Sequence, residues 1–113
     1  MKINNLELEF NYLEEQTNMR VMQALNHISD ESEKAAHEEE TYLQIATMCT
    51  AIKTGFDHIF GEGVGNQLCR EGNNLDTCLD AFTEFVEEKN RQDARLKTKT
   101  NRMLQAIQNG LPD

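Results

Sequence analysis

Between residues 42 and 59 the larger apolar side chains fall at Tyr42, Ile45, Cys49, Ile52, Phe56 and Ile59, alternating steps of three and four that only a helix gathers on one side. Leu43, Ala46 and Phe60 flank the seam, and the spacing predicts a helix over residues 38 to 60. The run is too short to require a coiled coil, and a helix packed in a core gives the same pattern. Nothing nearby interrupts it: the chain has one proline, Pro112, and no tryptophan, and it is rich in Glu, Gln, Lys and Arg. The class is therefore mainly α, three to four helices in a single domain of 113 residues, enough for one modest core.

The ends differ from this centre. In "KINNLELEF" the residues Leu6, Leu8 and Phe10 alternate with Glu7 and Glu9, a strand period, and Asn4-Asn5 suits a two-residue turn at positive φ. A β-hairpin is expected over residues 1–13, laid on a helix because two strands alone are marginal in water. From Glu14 to Ser29 the residues Met19, Met22, Leu25 and Ile28, widened by Val21, give a first amphipathic helix. Six acids and one lysine then fill residues 30 to 40, either as a solvated continuation or as a restart capped by Asp30 and Glu33. Asn74 is a good N-cap for the last helix, with Leu75, Cys78, Leu79, Phe82, Phe85 and Val86 as its buried face. Residues 14–86 thus form a helical body. Residues 87–113 keep helix formers but few apolar groups, a projecting helix and tail with Met103, Leu104 and Ile107 as a distal patch.

Charge follows the same division. Residues 1–86 carry 16 acids and five bases, whereas residues 87–113 carry four acids and six bases. An acidic body repels nucleic-acid phosphate and anionic lipid, so neither is an expected partner, while the polarity favours head-to-tail contact between copies. No apolar run reaches the length of a membrane span, and the start lacks the apolar core of a signal peptide.

Candidate chemistry is sparse. "FGEGVG", residues 60 to 65, has the glycines of a phosphate loop, but a helix precedes it, no lysine follows, and Glu62 opposes an anion. The expected role is a corner: Gly61 as a left-handed helix cap, with Gly63 and Gly65 reversing the chain. His27, His37, His58, Cys49, Cys69 and Cys78 show no paired zinc spacing, and no Glu-x-x-His element suggests a di-iron site. Cys49 and Cys78 fall on buried stripes and Cys69 is the least constrained thiol. The expectation is no catalytic residue, metal or cofactor.

The combination "INNLELEF", "FGEGVG" and "NNLDTCLDAFTEFVEEKN" resembles a family of small phage and prophage tail-region proteins of Gram-positive bacteria. The resemblance rests on Leu8 to Phe10, Phe60 to Gly63, and Asn74, Leu75 and Cys78, and covers about the first 90 residues. Such proteins are similar to the tail assembly chaperones of long-tailed phages. The likeness implies a non-enzymatic protein in the cytoplasm of an infected or lysogenic host, absent from the mature virion. It implies binding to the tape measure protein and self-association in a ring or spiral, with the major tail protein as a further candidate partner. In that role Phe56, Ile59, Phe60, Phe82 and Phe85 belong to the packed body around the corner, and Arg91, Arg95, Leu96, Met103 and Leu104 contact a neighbouring copy or the client. Two other classes stand beside it: an acidic inhibitor of a host nuclease or defence protein acting through residues 30 to 40, and a structural tail or connector protein.

Overall fold

The computed structural model describes residues 1–112. Two short antiparallel strands, β1 (Lys2–Ile3) and β2 (Leu6–Glu7), pair Lys2 with Glu7 and Ile3 with Leu6. Asn4 and Asn5 take φ of 49° and 65°, the two positive values a primed two-residue turn requires. The pairing is shorter than the alternation suggests and ends at Glu7. Ile3 is fully buried, and the Asn4 side-chain amide donates to the Leu68 carbonyl, so the hairpin lies on the helices as expected.

Four helices follow: α1 (Glu15–Ala35), α2 (Thr41–Phe60), α3 (Val64–Cys69) and α4 (Leu75–Gly110). Helix α1 continues as one piece through Ser32 to Ala35, without a restart at Asp30. Its buried face is Thr17, Val21, Ala24, Ile28 and Ala35, whereas Met19 and Met22 are 46% and 41% exposed. The expected methionine stripe is thus rotated off the contact. The reason is a close crossing: a Cβ added to Gly55 of α2 would stand 2.8 Å from Ile28 Cδ1 and 3.6 Å from Ala24 Cβ, so only small groups fit where the helices meet.

Helix α2 starts three residues later than the periodicity suggests, after an extended Glu40 whose carbonyl accepts from the Leu43 and Gln44 amides. Its seam is buried from Cys49 through Ile52, Phe56 and Ile59, but Tyr42 is 68% exposed. The spacing therefore serves core packing. Phe10, Phe56, Phe60, Phe82 and Phe85 form one aromatic group, with Phe85 5.1 Å from Phe10, 5.9 Å from Phe56 and 5.8 Å from Phe60 between ring centroids.

Asn74 caps α4 by accepting from the Thr77 amide at 3.3 Å, and Asp76 sits in the first turn. The helix buries Cys78, Ala81, Phe85 and Gln92, with Leu75, Phe82 and Val86 half-buried and Leu79 out in solvent at 38% exposure. Its 36 residues run unbroken. The body ends near Gln92 rather than Val86, and every residue from Ala94 to Pro112 is exposed. At about 1.5 Å per residue, the part beyond Gln92 forms an arm reaching roughly 27 Å, and the molecule measures 68 × 31 × 20 Å. Among the described residues no helix is long and apolar enough to cross a membrane.

Candidate functional site

The glycine corner is closed by a residue inside α2. The Asp57 carbonyl accepts from the Gly61 amide at 2.8 Å, and Asp57 Oδ1 accepts from the Gly65 amide at 2.7 Å. The amide that an anion would seek at the start of α3 already has a carboxylate. Gly61 ends α2 at φ 121° and ψ 160°, a conformation open to glycine but outside the left-handed helical region expected for it. Gly63 does take that region, φ 90° and ψ −14°, as the residue before α3.

Gly65 departs from its expected part in the reversal. It lies within α3, buried, where a Cβ would stand 2.7 Å from Lys53 Cα and closer still to the Lys53 carbonyl. Its missing side chain lets α3 press on the backbone of α2. "FGEGVG" is a corner, but its last glycine acts through close approach and its anchor is Asp57.

The three thiols, far apart in sequence, converge. Cys49 of α2, Cys69 of α3 and Cys78 of α4 are all fully buried, and they lie close enough for each thiol to influence the others. Burial, reinforced by the neighbouring Cys78 thiol, pushes the Cys49 thiol up to about 11 from an ordinary 9.0. Burial also raises Cys69 and Cys78. Such groups stay neutral and poorly nucleophilic. Among the described residues no three His, Cys, Asp or Glu side chains are arranged to hold a metal ion.

The expected contact residues divide into two populations. Phe56, Phe85 and Ile59 are core, 1%, 0% and 8% exposed, while Phe60 and Phe82 are half-buried against it. This group is occupied with packing. Arg91, Arg95, Leu96, Met103 and Leu104 all lie open to solvent; Arg91 pairs with Glu88 at 3.4 Å, one helical turn earlier. Leu96, Met103, Leu104, Ile107 and Leu111 are 43% to 62% exposed. At about 100° of rotation per residue, Leu96, Met103 and Ile107 fall within roughly 40° of the line through Cys78 and Phe85. The arm thus prolongs the core-facing side of α4 beyond the core.

One anchoring residue carried no sequence signal. Gln92, 6% exposed, accepts from the Tyr12 amide at 2.6 Å and donates to the Phe10 carbonyl at 3.0 Å. The Lys89 ammonium stands 5.2 Å over the Tyr12 ring, and Asn18 donates to the Tyr12 carbonyl at 3.0 Å. These contacts fix where the arm leaves the body.

A family model matches residues 4–109 of the chain, nearly its whole length. The chain belongs to DUF6673, a family of unknown function. The DUF6673 span runs from the Asn4-Asn5 turn through the glycine corner and along the arm to Asn109, so body and arm are parts of one family unit. No curated protein and no solved structure matches the chain.

Proposed function

We propose that this protein is a phage or prophage tail assembly chaperone that binds the tape measure protein and has no enzymatic task. The observation that carries the reading is the arm: an unbroken helix with Leu96, Met103 and Ile107 exposed along one side and Leu104 exposed beside them, rising from an acidic body. A long helical, apolar-rich client aggregates unless covered, and an amphipathic helix covers such a chain by laying its apolar side in a groove. The acidic body then keeps the complex soluble. Many copies on one client multiply weak contacts. The resemblance of "INNLELEF" and "FGEGVG" to tail-region proteins names the client, and the host cytoplasm as the place of action follows from that role. The major tail protein is a second candidate partner.

The test is co-expression with the tape measure protein of the same phage, followed by pull-down and light-scattering mass. A soluble complex with many copies per client, where the client alone is insoluble, is the expected result. Absence of any complex overturns it. Proteomics of purified virions separates a chaperone, absent from the particle, from a structural tail or connector protein. The exposed acids Glu38, Glu39 and Glu40 favour a second reading, an inhibitor occupying the basic groove of a host nuclease or defence protein. DNA-competitive inhibition of such an enzyme would establish it.

A further inference from the structure

The arm and the densest acidic segment lie at opposite ends of the body. Helices α1 and α2 run antiparallel, since Ile28 meets Gly55 while Gln23 bonds His58 at 2.8 Å. Residues 36–40 therefore turn at one end, and the start of α1 and the end of α2 mark the other. Helix α4 begins at the first of these ends, where Leu75 and Asp76 share a shallow groove with Ile45, Asn73 and Asn74. It passes Phe60 and emerges at the second, beside Tyr12.

The two ends are complementary. Residues 94–112 contain Arg95, Lys97, Lys99 and Arg102 and no acid, around the apolar stripe of Leu96, Met103 and Ile107. At the far end, just before α2 and in the first turns of α2 and α4, Glu38, Glu39, Asp76 and Asp80 are exposed, and so are Tyr42, Leu43 and Leu79, at 68%, 39% and 38%. We infer that the arm of one copy seats on the Tyr42, Leu43 and Leu79 surface of a second copy, its stripe on these side chains and its bases against the acids of the same end.

An unbroken helix cannot fold back to the opposite end of its own body, so the contact joins two molecules. Pairing of arm with arm would set like charges side by side, four bases against four with no acid between them. In a dimer joined by one such contact, an arm and an acceptor remain free at its ends. The contact is heterologous and propagates until it closes in a ring or continues as a filament. This deepens the assembly reading above by naming the surfaces that join copies, and it is tested without any client.

The experiment is light-scattering mass of the full chain across protein concentration at low and high salt, with two variants whose helicity is checked by circular dichroism. One reverses the arm (Arg95→Glu, Lys97→Glu, Lys99→Glu, Arg102→Glu); the other reverses the acceptor (Glu38→Lys, Glu39→Lys, Asp80→Lys). All seven side chains are exposed. The expected result is wild-type mass that rises with concentration and falls with salt, and two variants that are monomeric alone and assemble again when mixed, because each arm then meets an acceptor of opposite charge. A wild-type monomer throughout overturns the inference, as does an acceptor variant that assembles like wild type, which would assign pairing of arm with arm. A monomer that still captures the tape measure protein overturns only this inference; an assembling chain that captures none leaves it standing and removes the client.

Discussion

Gln92 and Tyr12 are 80 positions apart, yet the Gln92 side-chain amide bonds the Tyr12 backbone nitrogen at 2.6 Å. With its other end on the Phe10 carbonyl, the side chain substitutes for the neighbouring strand that residues 10–12 lack. Replacing Gln92 by Ala leaves a buried amide and carbonyl without partners. The expected cost is roughly 2–4 kcal/mol, read by urea unfolding. Faster proteolysis after residues 10–12 should accompany it, because the segment loses its hold on α4.

Gly65→Ala should destabilise more than Gly61→Ala, although Gly61 has the rarer backbone angles. Gly61 has open space around its Cβ position, so alanine there costs only conformational strain, about 1–3 kcal/mol. Alanine at 65 would collide with the Lys53 backbone, which cannot yield without separating α3 from α2. Thermal unfolding of the two variants gives the order directly, and the opposite order would show that the helices are less closely seated than described.

The thiols predict an alkaline limit. The folded core holds Cys49 protonated up to about 11, against 9.0 when unfolded, so the folded state binds the proton more tightly. Stability is therefore complete below pH 9 and declines as pH rises from 9 towards 11. Denaturation midpoints measured from pH 7 to 11 check the sign. At pH 8 a thiol reagent should label the native chain slowly and all three cysteines after unfolding.

Core and arm should separate cleanly under mutation. Phe56→Ala should cost about 3–5 kcal/mol and Met103→Ala less than about 0.5 kcal/mol, because the first is fully enclosed and the second half exposed. Removal of residues 94–113 should leave the thermal midpoint of the body nearly unchanged while abolishing assembly and client capture. A large fall in the midpoint would mean that the arm packs on its own body.

What was legible in the sequence is local. Asn4-Asn5 announced its turn and Asn74 its cap because each acts on residues within three positions. The α2 seam was legible as a helix, and the weakening of apolar character after Val86 as a projection. Periodicity located the amphipathic faces but not which shade of each meets a neighbour: Met19, Met22 and Leu79 were drawn inward by size, while Ala24 and Gly55 hold the actual crossing. Gln92, Asp57 and the meeting of three cysteines depend on pairings between elements, which no spacing along the chain encodes. The aromatic residues and the arm residues, read as separate groups in the sequence, lie apart: one group is packed against the core and the other is open to solvent.

The continuity of α4 has a metrical consequence. No proline and no glycine interrupts it between Leu75 and Asn109, so whatever grips its tip is held at a set distance and a set angle from the Gln92 clamp. Inserting one residue after Asp93 would lengthen the arm by only about 1.5 Å but turn its stripe by about 100°; seven residues would restore the facing and add roughly 10 Å. In an assembly made of such arms, the pitch between successive bodies is written in the number of residues between Gln92 and Leu111.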